Sequence, residues 1–469
     1  MPTPLDRGGF SSAYRVKLVV LLFLSGLLNF TDRNLYPVLA QSIKQDLVLS
    51  DFQIGLLGGL GFAFVYTLTG LPVARLADRA NRVTIVAVAT AVWSLFCVLC
   101  GLAQNFWQLL LGRAGLGVGE AGFLPASTSL VGDHYPPARR ASILSIIQLG
   151  SPASTLLCAA IAAWIGQQWG WRAALIAVGL PGLLVGLAVK YMLREPPRGL
   201  YDPEQDTAVL PWRAAIGLLL QKRAFIYVML GAALVTFCVN AIAQFYVAYF
   251  VRIHHWTLAQ GGFAFGAIQC AAATVGLLFG GFGVDWLARR DERWRCWIPA
   301  IGLCIATVLY VVAFQQTQAL VAAALILVGG IFLFTFYMPS IGMIQSMANA
   351  HSRATAIAIF SLAGTLIGMG LGPVASGLAS DLFAARDFAF GEFATLCPGG
   401  RAAAGASAVI QEACLAASAG GLKAALIVSP LPLLLSALLY LLAARTLRED
   451  VNAVGAEPDR LQVSSSLTT

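Results

Sequence analysis

Charge is what this chain has least of. Only 11% of its 469 residues are Asp, Glu, Lys or Arg, whereas soluble globular proteins carry about 25%. Hydrophobic residues make up 58% of the chain, and its mean hydropathy is +0.78. This composition excludes a soluble fold and indicates a protein whose solvent is the lipid bilayer.

The sequence also lacks the motifs of several catalytic classes. Its four histidines form no metal-binding pattern, and neither a Gly-x-Ser-x-Gly nucleophile elbow nor a Walker-type phosphate loop occurs in it. These absences argue against a polytopic enzyme acting on lipid and exclude ATP-driven transport. We therefore expect no enzymatic activity, no cofactor and no bound metal.

The basic residues do not indicate nucleic-acid binding, although the formal net charge is +8. They neither cluster on one face nor alternate with aromatic residues, as a nucleic-acid surface requires. Most of the nine cysteines lie inside apolar runs. We interpret even the Cys97-x-x-Cys100 pair as buried apolar residues rather than as a redox or zinc motif.

Apolar runs of about 20 residues, the length of a membrane-crossing helix, occur twelve times. The first six lie at 16–40, 52–76, 83–104, 106–133, 140–166 and 171–193, and the last six at 224–251, 258–287, 296–315, 318–348, 354–380 and 422–445. We predict an all-α membrane protein with four parts. These are a six-helix bundle at 1–193, a cytoplasmic linker at 194–222, a second six-helix bundle at 223–445 and a cytoplasmic tail at 446–469.

Two internal repeats support two pseudo-symmetric halves. The segment Asp78-Arg-Ala-Asn-Arg82 is echoed by Asp285-Trp-Leu-Ala-Arg289, 207 residues later, and Arg140-Ala-Ser-Ile is echoed by Arg353-Ala-Thr-Ala, 213 residues later. Two similar segments that recur at nearly the same sequence offset are not expected by chance. Repeated halves around a central site are typical of secondary transporters that work by alternating access.

The distribution of lysine and arginine predicts the orientation. These residues concentrate in the N-terminal segment, alternate loops, the central linker and the tail. Because short cytoplasmic loops carry an excess of them, we predict that both termini are cytoplasmic, in a bacterial inner membrane. The segment 381–421 then forms an extracytoplasmic loop, where a disulfide between Cys397 and Cys414 is permitted, although the sequence supplies no geometry for it.

Four charged residues lie inside apolar runs, where each costs about 2.5 to 3.5 kcal/mol at a helix centre. Asp32 and Arg33 lie in the first span. Arg113 and Glu120 lie in the fourth span, seven residues apart and so on one helix face. We hypothesise that Asp32 and Glu120 exchange protons and that Arg33 and Arg113 bind an anionic substrate group. The alternative is a static ion-pair lock between the two spans.

The second half of the chain lacks these charges. The repeat offset carries Asp32 to Asn240 and Glu120 to Phe334. The remaining candidate substrate contacts are neutral: Asn29 and Tyr36 in the first span, Asn240 and Gln244 in the seventh, and Thr335 and Tyr337 in the tenth. These polar groups could instead satisfy one another across helices. A cavity charged on one side and neutral on the other suits an amphiphile with an ionic head.

Charged residues at the cytoplasmic ends of two spans are candidates for gating. Asp78, Arg79 and Arg82 follow the second span, and Asp285 and Arg289 follow the eighth. Ion pairs and helix-end contacts among them would close one access state. We predict that they act as a conformational latch rather than as a substrate site.

Several motifs resemble known transporters. The run Gly70-Leu-Pro-Val-Ala-Arg-Leu-Ala-Asp-Arg79, with the residues that follow it, resembles the loop signature of the major facilitator superfamily. The sequence departs from that signature at Ala74, Asn81 and Val83. Five further segments resemble the Spinster family. They are Leu28-Asn-Phe-Thr-Asp-Arg33, Leu49-Ser-Asp-Phe-Gln-Ile-Gly55, Gly112-Arg-Ala-Gly-Leu-Gly-Val-Gly-Glu-Ala121, Arg194-Glu-Pro-Pro-Arg-Gly199, and Gly370-Leu-Gly-Pro373 with Ser380-Asp381.

The resemblance implies a major facilitator fold and movement of lysophospholipids or sphingoid phosphates, with proton coupling in some members. It implies that Asp32, Arg33, Arg113 and Glu120 line the cavity. Superfamily members that import organic anions with protons share this arrangement, so an organic anion symporter stays open, as does a passive scramblase or channel. The expected partners are membrane lipids, protons and an amphiphilic or organic anion, and the expected state is a monomer.

Overall fold

The computed structural model describes residues 10–198, 200, 212–348, 352–403 and 405–466. The regular structure of these residues is helical. In chain order the α-helices are α1 Ser12–Asp46, α2 Asp51–Gly58, α3 Leu60–Arg79, α4 Arg82–Gly101, α5 Phe106–Glu120, α6 Phe123–His134, α7 Pro137–Gln148, α8 Gly150–Met192, α9 Trp212–Leu220, α10 Arg223–Ile253, α11 Leu258–Leu278, α12 Val284–Ala288, α13 Trp294–Gln315, α14 Ala319–Phe334, α15 Tyr337–Ser346, α16 Arg353–Ala363, α17 Gly372–Asp387, α18 Phe393–Leu396, α19 Ala408–Val428 and α20 Pro432–Ser466. Two π-helical segments, Phe279–Gly283 and Gly364–Leu371, join α11 to α12 and α16 to α17.

Ten helical segments of the described chain are long and apolar enough to cross a membrane. One of them, Ser142–Met192, has 51 residues and bends at Gly170, whose φ of 83° is outside the helical range, so it provides two spans. Helices α5 and α6 have only 15 and 12 residues and make one more span together. The structure is thus consistent with the twelve predicted spans.

The chain forms two compact units. The described parts of Met1–Asp206, Ala243–Cys270 and Pro373–Ala425 make up the first unit, and those of Thr207–Ile242, Ala271–Gly372 and Leu426–Thr469 make up the second. The first unit therefore includes the end of α10, the start of α11, and α17, which come from the second half of the sequence. The bundle boundaries at 193 and 223 stay a prediction.

Close backbone contacts at glycine hold the first unit together. A Cβ atom added at Gly119 of α5 would lie 2.6 Å from the backbone nitrogen of Trp93, and one added at Gly179 of α8 would lie 2.8 Å from the carbonyl oxygen of Ser94. Small residues allow such approach between helices in lipid. Helix α4 consequently packs tightly against α5 and α8, and Ser94 lies beside Asp32 of α1.

Polar contacts between helices also occur within the second unit. The hydroxyls of Ser340 in α15 and Tyr440 in α20 lie 2.6 Å apart, and Ser436 of α20 donates to the carbonyl of Gly231 in α10 at 2.8 Å. All three side chains are buried. Interhelical hydrogen bonds of this kind stabilise helix packing in an apolar solvent.

Candidate functional site

An ion pair joins α1 to α5 in the middle of the first unit. The Nε atom of Arg33 donates to Oε2 of Glu120 at 2.6 Å. The Glu120 side chain is 1% exposed and that of Arg33 is 24% exposed. The pair thus has a fully buried acid and a partly exposed guanidinium.

Arg113 lies near this pair but bonds a different group. Its Nε donates to the carbonyl oxygen of Leu57 at 3.0 Å, and its guanidinium lies 4.8 Å from the ring centre of Tyr36. Helix α2 ends at Gly58, and the last carbonyls of a helix lack partners within it. Arg113 therefore supplies a hydrogen-bond donor and a positive charge to the C-terminal end of α2. Tyr36 donates its hydroxyl to the carbonyl of Ile54 at 3.3 Å.

The buried ring of Phe62 lies close to both arginines. Its centre is 5.3 Å from the Arg33 guanidinium carbon and 5.4 Å from that of Arg113. Tyr66, one helical turn further along α3, lies 5.0 Å from Arg33. Cation–π contacts reach about 2 kcal/mol when desolvated. These rings thus add cation–π contacts to the electrostatic interactions of both guanidinium groups with Glu120 and Asp32.

Asp32 is buried, and Arg113 and Arg33 act on it electrostatically without an ion-pair contact among the described residues. Neither of its carboxylate oxygens has a hydrogen-bond partner among the described residues. The neighbouring thiol of Cys97 donates to the carbonyl of Leu175 at 3.3 Å. Asn29 and Ser25, on the same face of α1, also have a buried polar atom without a described partner. Such atoms are rare in native proteins and favour a functional role.

The neutral candidates fall in both units. In the second unit, Asn240 donates to the carbonyl of Thr236 at 2.8 Å and Thr335 to that of Phe332 at 2.7 Å, while Tyr337 is exposed. Asn240 and Thr335 thus bond their own helix backbone, and not each other across helices. Gln244 belongs to the first unit, where its buried amide contacts Gly58 and its Nε2 has no described partner.

The predicted latch residue Arg82 has partners that sequence reasoning missed. Its buried guanidinium pairs with Asp133 of α6 and, at 2.6 Å, with Oε1 of Glu195. The second oxygen of Glu195 accepts the backbone N–H of Val83 at 3.0 Å. Glu195 lies in the Spinster-like segment Arg194–Gly199, and this resemblance was the sequence signal that could have identified it as a functional residue.

Among the described residues, Arg79, Asp285 and Arg289 form no ion pair like that of Arg82. Arg79, Asp285 and Arg289 are exposed, and the backbone N–H of Arg289 donates to the Asp285 carbonyl at 3.3 Å. The side chain of Asp78 lies outside the described part of the structure. A gating role for these four residues stays a prediction.

A second charged cluster surrounds Asp51, at the start of α2. The carboxylate, which is 2% exposed, accepts hydrogen bonds from Lys44 of α1 at 2.7 Å and from both terminal nitrogens of Arg252 of α10 at 2.8 and 2.7 Å. Ser380 of α17 donates to it at 2.7 Å. Arg252 also donates through Nε to Gln41 at 2.6 Å.

Asp381 completes this cluster from α17. Its carboxylate accepts the backbone N–H groups of Asp51 at 3.0 Å and Phe52 at 2.8 Å, so it caps the N-terminus of α2, where negative charge is stabilised. We name these residues the Asp51 cluster: Gln41, Lys44, Asp51, Arg252, Ser380 and Asp381. The cluster joins α1 and α2, from the first half of the sequence, to α10 and α17 from the second.

Cys397 and Cys414 form a disulfide in the structure, with Cα atoms 5.5 Å apart. Both sulfurs are buried in a small core with Ala384, Phe388 and Phe393. The bond fixes the segment after α18 to the start of α19, next to the end of α1: a Cβ at Gly399 would lie 3.1 Å from Cα of Val48.

Comparisons with known proteins agree with this architecture. The model of the Major Facilitator Superfamily matches residues 22–373. An MFS-type efflux pump of Mycolicibacterium smegmatis is 32% identical over 382 residues, which cover 80% of this chain and 86% of that protein. The sphingosine-1-phosphate transporter SPNS2 of Mus musculus is 25% identical over 396 residues, which cover 80% and 72% of the two chains.

A solved structure extends the comparison to the fold. A bacterial homolog of the human lysosomal transporter Spinster, in an inward-facing and unoccupied conformation, matches with a TM-score of 0.87 and 32% identity over 94% of this chain and 99% of that one. The major facilitator fold is confirmed, and because these relatives are transporters, so is the expectation that the chain is not an enzyme. The chain belongs to the major facilitator superfamily, and within it to the Spinster-type transporters.

Proposed function

We propose that this protein couples transport to protons and moves an amphiphilic anion, such as a lysophospholipid or a sphingoid phosphate, by alternating access. The observation that supports this most directly is the Arg33–Glu120 pair. In this pair, the buried carboxylate of Glu120 can bind a proton, and the partly exposed guanidinium of Arg33 beside it can bind an anion.

Arg33 is the proposed anion-binding group. Its contact with Glu120 uses Nε, and a guanidinium carries two further nitrogens that suit the paired oxygens of a phosphate or carboxylate. The rings of Phe30, Phe62 and Tyr66 lie within 5.9 Å of its guanidinium carbon. These rings provide apolar surface beside the charge, as an amphiphile requires.

Glu120 is the proposed proton-binding group. A proton neutralises the carboxylate and weakens its attraction for Arg33, which then becomes available to the substrate anion. Both ligands therefore act on one guanidinium, and this linkage couples them. Asp32, buried without a described hydrogen-bond partner, is the second proposed proton site.

A second candidate substrate class is a small organic anion. A probable L-galactonate transporter of Escherichia coli is 26% identical over 350 residues, which cover 70% of this chain and 75% of that protein. A sugar acid presents the same carboxylate to Arg33 but has no apolar tail. Parallel transport of both classes distinguishes them.

The disulfide and the basic loops support the proposed orientation. A disulfide persists in an oxidising compartment, so the loop with Cys397 and Cys414 faces outward and both termini face the cytoplasm. The Asp51 cluster then lies at the outer end of the first unit and Arg82 with Glu195 at the cytoplasmic end. We propose that the Asp51 cluster closes the outer end in one access state.

The test is transport by the purified protein in proteoliposomes under an imposed pH gradient. Lysophosphatidylglycerol, sphingosine 1-phosphate and L-galactonate are supplied separately. We expect the amphiphiles to accumulate against their gradient only while the pH gradient lasts. Equilibration without accumulation would instead identify a passive scramblase or channel, and accumulation of L-galactonate alone would identify an organic anion symporter.

A further inference from the structure

A polar cavity of about 230 Å³ lies beside the Asp51 cluster and away from the Arg33–Glu120 pair. Its walls come from the ends of α1 and α10, the segment after the disulfide and the start of α19. Since a water molecule takes about 30 Å³ in the liquid, the space admits a small anion or a lipid headgroup. Gln41, Lys44 and Arg252 of this lining also belong to the Asp51 cluster, but the proposed transport mechanism assigns no ligand to the cavity itself.

The charged side chains that line the cavity are all basic. Lys44, Arg252, His255 and Arg401 are among them, and among the described residues that line it there is no aspartate or glutamate. Two acids lie nearby: Asp51 accepts from Lys44 and Arg252, and Asp381 accepts two backbone N–H groups of α2. Lys44 and Arg252 thus share the carboxylate of Asp51, and Arg401 adds a further positive charge.

The two deepest cations are held in place. The side chains of Lys44 and Arg252 are only 4% and 8% exposed, and each is fixed by Asp51, with Gln41 holding Nε of Arg252. A cation in one fixed position loses little rotamer entropy when a ligand binds. This is a preorganised site rather than a mobile surface patch.

The absence of a side chain at Gly400 keeps space open between the ammonium group of Lys44 and the hydroxyl of Ser418. A Cβ atom at this position would lie 2.6 Å from Oγ of Ser418 and 3.4 Å from Nζ of Lys44. Its φ of +82° also favours glycine. The disulfide fixes both walls, because Cys397 is three residues before Gly400 and Cys414 is four residues before Ser418.

We propose that this cavity is an anion-binding site for a phosphate or carboxylate group, held by Lys44, Arg252 and Arg401 with the hydroxyl of Ser418. The bound anion competes with Asp51 for Lys44 and Arg252. Because those contacts join α1 and α2 to α10 and α17, occupation of the cavity loosens the Asp51 cluster. A ligand that prefers the loosened arrangement shifts the population towards it.

The first experiment measures binding to the full-length protein in a neutral detergent. Inorganic phosphate is titrated by calorimetry, and lysophosphatidylglycerol is compared with zwitterionic lysophosphatidylcholine to separate a free anion from a lipid headgroup. We expect saturable phosphate binding that weakens about tenfold or more in Arg401→Gln and Ser418→Ala. Arg386→Gln, an exposed basic residue of α17 outside the cavity lining, serves as the matched control and retains wild-type binding.

The second experiment follows hydrogen exchange of the Asp51 and Phe52 amides, which donate to Asp381. Phosphate should speed their exchange in the wild type and leave it unchanged in Arg401→Gln. Absence of saturable phosphate binding, or equal binding by the cavity variants and the Arg386→Gln control, overturns the proposed anion-binding site. Phosphate binding without faster amide exchange overturns the proposed competition with Asp51. Exchange at these two amides reports on this cavity and not on the Arg33–Glu120 pair, so the result is independent of the proposed proton site.

Discussion

Both terminal nitrogens of Arg252 donate to the carboxylate of Asp51, at 2.8 and 2.7 Å, although 201 residues separate the two in sequence. A paired guanidinium–carboxylate contact is the strongest form of ion pair available to side chains. Here it is buried and shares its acid with Lys44. The stability of the first unit should therefore depend on Asp51 far more than on an exposed acid.

Asp51→Asn should lower the free energy of unfolding of the detergent-solubilised protein by about 3 to 5 kcal/mol, because it leaves two buried cations without their acid. Asp46→Asn is the matched control. Asp46 pairs with Arg172 at 2.5 Å, but the pair is exposed, and such pairs contribute about 1 kcal/mol or less. Thermal unfolding measures both variants; equal losses would show that Asp51 is no more important than a surface acid.

Glu120→Gln should abolish stimulation of transport by an imposed pH gradient, because the amide cannot take up a proton. Downhill exchange of substrate should persist, since Arg33 remains available for the anion. Exposed Glu412 provides the control variant Glu412→Gln, which should behave as wild type. Transport by Glu120→Gln that still follows the gradient removes this residue from the coupling mechanism.

Phe62→Leu should weaken binding of an anionic amphiphile about thirtyfold. The change removes the ring next to both Arg33 and Arg113, and the loss of desolvated cation–π contacts costs about 2 kcal/mol. Phe64 lies two residues away on the same helix and is 58% exposed, so Phe64→Leu is the control. Equilibrium binding to the purified variants measures the difference, and matching affinities would exclude a role for the Phe62 ring.

The membrane spans and the four buried charges could be predicted from the sequence because lipid penalises charge at every position of a span. Asp32, Arg33, Arg113 and Glu120 are conspicuous inside apolar runs for that reason. The specific pairing of Arg33 with Glu120, and the absence of a described partner for Asp32, depend on helix rotation, which spacing alone does not determine.

The Asp51 cluster was missed for a different reason. Asp51 follows Ser50 and precedes Gln53, which form a capping box at the start of α2, and an acid in the first turn of a helix needs no further explanation. Its partners Arg252 and Ser380 lie at the ends of distant spans, where charged and polar residues are common. Only the packing of these helices shows that the cluster is buried.

The latch at Arg82 shows a third kind of limit. The repeated Asp-to-Arg spacing favoured contacts within the segment from Asp78 to Arg82, yet Arg82 pairs with Asp133 and Glu195. Both of these acids reach the buried guanidinium of Arg82 from segments outside the repeat. A repeat locates the residues of a motif but does not identify their partners.

Reduction should expose two additional thiols, at Cys397 and Cys414, and these test the proposed orientation. In intact cells, a membrane-impermeant maleimide should label the protein only after treatment with an impermeant reductant, and the double variant Cys397→Ser/Cys414→Ser should not gain this label. Because the bond closes a loop of 17 residues, its loss should also cost about 3 kcal/mol of stability. Labelling of these two cysteines by a membrane-permeable maleimide but not by the impermeant one would place the loop, and with it the Asp51 cluster, on the cytoplasmic side.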